Sequence, residues 1–91
     1  MAEVIFTANE LRTRDEVMAE RLEREIREAA AQFLDPQPLQ CRILVEMGLE
    51  AASSRIRIQF ERPGWVKSFG LPVELALADV RRAAGVILRN Q

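Results

Sequence analysis

No histidine occurs anywhere in this chain of 91 residues, so the commonest general base near neutral pH and the commonest metal ligand are both missing. Nucleophile pairs of the Ser-His or Cys-His kind are thereby excluded. Cysteine is almost as scarce. Cys41 stands alone, which rules out an internal disulfide and a zinc site of the cysteine and histidine type. Nor does any segment have the spacing of an EF-hand calcium loop or of a phosphate-binding glycine loop. No metal or cofactor is therefore expected, and no catalytic residue is assigned.

Long hydrophobic runs are absent too, with no apolar stretch approaching the roughly 20 residues that span a bilayer. The chain does not begin with a basic stretch followed by an apolar run and a cleavage site. A cytoplasmic protein without membrane contact is the expectation. Charge of one sign is equally lacking: 13 basic and 14 acidic side chains leave a formal net charge of −1, so any attraction to polyanions has to come from a local patch.

What is present suits one folded domain, expected over 1–91. Apolar residues make up 48% and charged residues 30%, the balance of a globular chain rather than a disordered one. At this size the fraction of surface buried is modest, so a partner or a second copy would add useful stability.

Val4, Ile5 and Phe6 form a short β-prone run. Two capping-box patterns follow, Thr7-x-x-Glu10 and Thr13-x-x-Glu16, and a helix is expected to start at one of them. Met18, Leu22, Ile26, Ala29 and Phe33 then recur at helical spacing, with Val17, Ala30 and Leu34 widening the stripe. The other face offers Glu20/Arg24, Arg21/Glu25, Glu23/Arg27 and Arg24/Glu28 as pairs four apart. Pro36 and Pro38 end the helix.

Leu39, Cys41, Ile43, Val45 and Met47 alternate with Gln40, Arg42, Leu44 and Glu46, a half-buried strand. After a loop over Gly48–Ser54, Ile56, Ile58 and Phe60 alternate with Arg55, Arg57, Gln59 and Glu61, and the two strands pair most simply as an antiparallel hairpin. Arg62-Pro63-Gly64 is turn chemistry, and Trp65 to Phe69 reads as a further short strand ending at Gly70. Pro72 suits the first turn of a last helix, in which Val73, Leu77, Val80, Ala84 and Ile87 mark the buried face. The order is β-α-β-β-(β)-α. It predicts an α+β two-layer sandwich, an antiparallel sheet with two helices on one face and the other face open.

That open face carries the candidate binding surface. Arg42, Arg55 and Arg57 fall on its outward phase, with Arg62 and Lys67 flanking the next turn. Residues 39–91 hold eight basic and five acidic side chains, so positive charge gathers in this half. Two readings stand for the arginines: a patch that reads phosphate, or pairing with Glu46 and Glu61 and nothing more. Two also stand for Trp65, an interface anchor or a lid on the end of the core. Ile5 and Leu44 fall out of phase with the core and belong on the open face. Leu75, Val86 and Leu88 lie beyond the core stripe of the last helix and offer another contact surface. Cys41 sits on the inward phase, where a buried thiol is inert.

The succession of Val4-Ile5-Phe6, the helix after Thr13, the Leu39–Met47 and Arg55–Glu61 strands and the Val73–Leu88 helix resembles the ribosome hibernation-promoting factors, whose domain is related to double-stranded RNA-binding domains. That resemblance implies ribosomal RNA binding through Arg42, Arg55, Arg57, Lys67, Arg81 and Arg82. The residues themselves point to a small non-enzymatic protein-interaction module. Its expected partner is a protein or a second copy, with an RNA- or ribosome-associated binding factor as the alternative.

Overall fold

The structure, a computed structural model, describes residues 3–32, 38–47 and 54–89. Strand β1 (Val4–Thr7) leads into helices α1 (Asn9–Arg14) and α2 (Glu16–Ala31). Strands β2 (Leu39–Met47), β3 (Ser54–Arg62) and β4 (Trp65–Pro72) follow, and α3 (Val73–Arg89) is the last described element. The four strands form one sheet in the order β1-β2-β3-β4. All three helices pack on one side of it, an α+β two-layer arrangement.

The meander β2-β3-β4 is antiparallel, as the alternation predicts, whereas β1 joins β2 in parallel, with Val4 opposite Leu39 and Phe6 opposite Cys41. The sheet is thus mixed, not wholly antiparallel. The reason is the helical connection, because a crossover of that length returns the chain in the direction in which it left. Between β3 and β4 the connection is only Pro63-Gly64, and Gly64 takes φ +76, a left-handed conformation that costs glycine least.

The single helix expected near the start is two. Neither threonine box is used: α1 begins after Ala8 without a side-chain cap, and α2 is capped by Asp15. The Asp15 carboxylate accepts from the Met18 amide at 3.1 Å, while its own amide donates to the Leu11 carbonyl at 2.7 Å. A short side chain that competes for backbone amides ends one helix and starts the next. Thr13 lies inside α1 and donates its hydroxyl to the Asn9 carbonyl.

The buried face of α2 is Ala19, Leu22, Glu23, Ile26, Ala29 and Ala30, so Val17, expected in the stripe, is 61% exposed. Leu22, Ile26, Ala29 and Ala30 are buried as the spacing predicts and Met18 packs against the core, while the face also takes in Ala19 and Glu23, to whose carboxylate Arg12 of α1 donates at 2.6 Å. The carboxylates expected in pairs along α2 look elsewhere too. Arg81 of α3 donates to Glu25 at 2.6 Å and also engages Glu28, clamping the two long helices. Arg27 lies over the Phe6 ring, 4.8 Å from its centroid.

In α3 the buried positions are Ala76, Val80, Ala84 and Leu88, while Leu77 is exposed. Leu88, expected on a contact surface, belongs to the core. Pro72 closes β4, which runs past Gly70, and does not open the helix. Phe33, Leu34, Pro36, the loop 48–53 and the Met47 side chain lie outside the described residues. Among those described, no helix is long and apolar enough to cross a membrane.

The core sits between sheet and helices, with Ile58 and Phe60 at its centre, both with no exposed surface, and Phe69 at 6.2 Å from Phe60 between ring centroids. Phe60→Ala is expected to lower unfolding free energy by about 3–5 kcal/mol, since the ring leaves a cavity that the layers cannot close. Val17→Ala should stay within about 0.5 kcal/mol. Denaturant titration of both variants checks the contrast, and similar losses would mean that Val17 is buried.

Cys41 supplies a second check. Burial, with the Glu23 charge adding, pushes its thiol up to about 12 from 9.0. The unfolded chain therefore loses that proton first, so the stability gained by keeping the thiol neutral is intact below pH 9.0 and lost as pH rises toward about 12. The chain has no tyrosine and a single lysine, so few other groups cloud that window. The denaturation midpoint should fall there by an amount that Cys41→Ala removes; an identical slope in the variant would refute the assignment.

Candidate functional site

The strand phase that buries Cys41, Ile43, Ile56, Ile58 and Phe60 sends their neighbours to the other side of the sheet. Cross-strand register then decides which of them meet. Ile5, Gln40, Glu61 and Val66 form one row, Thr7, Arg42, Gln59 and Ser68 the next, followed by Leu44 with Arg57 and Gly70, and Glu46 with Arg55 and Pro72. No helix or other segment among the described residues lies over this face. Ile5, Leu44 and Val66 remain exposed on it, Val66 by 55%.

Arg42, Leu44, Arg55 and Arg57 are brought together as expected. Arg57 ties three strands: its Nε donates to Glu46 Oε1 of β2 at 2.6 Å and its Nη1 to Ser68 Oγ of β4 at 3.3 Å. Glu46 is thereby engaged by Arg57, although Arg55 is its direct cross-strand neighbour. Arg42 and Arg55 have no ion-pair partner among the described residues. Pairing with Glu46 thus accounts for one of the three arginines.

Gly70 explains how two guanidiniums share the middle of the face. A Cβ built there would meet Arg55 Nη2 at 3.3 Å and Arg57 Nη2 at 3.8 Å, so both guanidiniums lie across this strip of β4 backbone. Two like charges this close, with one carboxylate between them, leave net positive potential above the sheet.

Arg62, Trp65 and Lys67 are placed differently. Arg62 stands opposite Trp65, and Lys67 opposite Phe60, so all three have the phase of the helix side. Trp65 is half-buried and packs on the end of the core. The Arg62 guanidinium covers its ring at 5.2 Å from the centroid. At the β3-β4 turn the ladder ends, and there Arg62 and Trp65 also reach the open side, where they join Thr7, Gln40, Arg42, Glu61 and Val66 around an open concavity of about 700 Å³. Lys67 stays apart, exposed on the helix side of the edge strand.

Arg81 and Arg82, which the family resemblance adds, lie on α3, away from the open face. Hydrogen bonding to Glu25, followed by the Glu25 and Glu28 charges, holds the Arg81 guanidinium above its ordinary value. Arg82 pairs with Asp79 at 3.5 Å. The concavity at the turn was not legible from strand alternation, because it forms where alternation stops; the signal was the Pro63-Gly64 turn placed directly before the one tryptophan.

Among the described residues no group of three or more cysteines and carboxylates is placed to hold a metal ion. What the surface offers is the Arg42 and Arg55 guanidiniums, without a carboxylate among the described residues, exposed aliphatic carbon and an aromatic ring. Trp65 gives this arrangement a direct reporter. Arg62→Ala is expected to uncover the ring and raise acrylamide quenching of its fluorescence, while Lys67→Ala leaves quenching unchanged; equal effects would show that Arg62 does not shield the ring. No protein-family model matches this chain, and no curated protein was found to be similar to it.

Proposed function

We propose that this chain is a non-enzymatic protein-interaction module that docks a partner protein on the open face of its sheet. The observation that carries the reading is one of composition and geometry together. Ile5, Leu44 and Val66 are exposed on a face where Arg42 and Arg55 have no carboxylate partner among the described residues. Arginine is enriched at protein contacts, and exposed aliphatic carbon beside it is apolar area that a partner can cover. Burying one such aliphatic side chain fully yields about 1.5–3 kcal/mol, and a partner bearing carboxylates would meet the two cations. The single buried thiol fits a reducing compartment such as the cytoplasm.

RNA is the second reading, favoured by one feature: the Arg55 and Arg57 guanidiniums converge over Gly70 with a single carboxylate between them. Three phosphates held by Arg42, Arg55 and Arg57 would give a dependence of log affinity on log salt of about −2 to −3. Arg42→Glu with Arg57→Glu should abolish such binding.

The two separate in one experiment. Immobilised protein is incubated with an extract of its native cells, with and without nuclease, beside a Leu44→Glu variant. The expected outcome is a discrete protein retained after nuclease treatment and lost from the variant, with unfolding unchanged. Retention of nucleic acid alone, or of the same protein by both forms, would overturn the protein-docking reading.

A further inference from the structure

The sheet has two edges of unequal character. β1 is four residues long, whereas β4 is eight and has no strand against its outer side among the described residues. A free edge of that length presents unpaired amides and carbonyls that another strand can use. Beside it, on the helix side, runs a mostly apolar trough of about 310 Å³, floored by Phe69 and Leu71 and walled by Ala83, Val86 and Ile87 of α3. Asp79 and Arg82 stand at its rim.

Those rim residues belong to a stripe. Leu75, Asp79, Arg82 and Val86 follow at spacings of four, three and four, which places them in one narrow row along the helix. Leu75 and Val86 are each 48% exposed, and Arg82 is more open still. Read along α3 the row is apolar, acidic, basic, apolar. Turned about a two-fold axis midway between Asp79 and Arg82, it matches itself: Leu75 meets Val86 of a second copy and Asp79 meets Arg82, each reciprocally. That is the self-complementarity an isologous contact requires.

The strand obeys the same axis. A helix rises about 1.5 Å per residue and a strand about 3.3 Å, so the helix midpoint lies about 12 Å back from the β4-α3 junction, beside Ser68 or Phe69. An antiparallel pairing centred on either residue keeps every side chain opposite one of its own face. It also sets Lys67 against Phe69 or Leu71 of the other copy, whereas a pairing centred on Lys67 would oppose two like charges. The lysine therefore disfavours the register centred on itself and is compatible with the one that the helix stripe requires.

We propose that the β4 edge and the Leu75–Val86 row of α3 form a two-fold interface between two copies of this chain. The axis stands perpendicular to the sheet, so the two four-stranded sheets become one continuous sheet with both open faces on the same side. Helices and strands are joined at once, and the arginine surface is doubled. The inference concerns an edge and a helix that the open-face reading does not use, and it stands or falls independently of it.

Light scattering and sedimentation on the full chain test it. The expected mass is twice the 10.4 kDa of one chain. Asp79→Arg alone sets like charges against each other across the axis and should halve that mass, as should Arg82→Asp alone. Mixed in equal amounts, the two variants should return to the doubled mass, because each reversed charge then meets its opposite on the other chain. A single-chain mass for the unmodified protein, doubled mass in either variant alone, or a mixture that stays monomeric would each overturn the proposal. Leu44→Glu, which removes the open-face contact, should leave the doubled mass intact.

Discussion

The burial of one side of β2 and β3 beneath α2 and α3 is the contact on which the remaining features depend. Cys41, Ile43, Ile56, Ile58 and Phe60 contribute one sheet face to a core completed by Ala19, Leu22, Ile26, Ala76, Val80 and Ala84. Side chains along a strand alternate, so placing those five inward compels Arg42, Leu44, Arg55 and Arg57 outward and together. The candidate surface is in that sense a geometrical consequence of the core. A two-layer fold covers its sheet once, and the uncovered side is where chemistry can be displayed.

Charge is distributed differently on the two sides. In the helix layer three ion pairs join elements, Arg12 to Glu23 between α1 and α2, and Arg81 to Glu25 and Glu28 between α2 and α3. On the open side Arg57 is held by Glu46 and Ser68, while Arg42 and Arg55 meet no carboxylate among the described residues. The near-zero net charge of the chain conceals this segregation. Gly70 lies beneath both guanidiniums, where a Cβ would stand 3.3 Å from Arg55 Nη2 and 3.8 Å from Arg57 Nη2.

Local pattern marks some elements of this chain more sharply than others, for identifiable reasons. The bounds of β2 are those its pattern predicts, because over nine positions only Leu44 departs from alternation. Periodicity marks α2 and α3 as helices and places Leu22, Ile26, Ala29, Ala30, Val80 and Ala84 inside, but it counts Val17 and Leu77 into the buried faces and misses Ala19, Glu23, Ala76 and Leu88. Alanine gives a weak hydrophobic signal, although its size is what lets α2 and α3 approach closely. Burial of Glu23 could not be expected from its own neighbourhood, since the arginine that neutralises it lies eleven residues away on another helix. The break at Asp15 was masked by two threonine boxes that satisfied the capping pattern equally well on paper.

Among the candidate residues the same division holds. Arg42, Leu44, Arg55 and Arg57 were legible as a group because period and register act locally along two adjacent strands. Arg62, Trp65 and Lys67 were near them in sequence but take the opposite phase, a consequence of how the Pro63-Gly64 turn pairs β3 with β4. By itself, then, the sequence determined the element types, the sidedness of the central hairpin and the absence of histidine chemistry, all of which follow from composition and short-range period. Only the tertiary structure decided that β1 runs parallel, that Glu46 meets Arg57 and not its direct neighbour Arg55, and that the Leu75–Val86 row of α3 lies beside a strand edge unpaired among the described residues. Those outcomes depend on the packing of segments far apart in the chain, whose contacts no local pattern encodes.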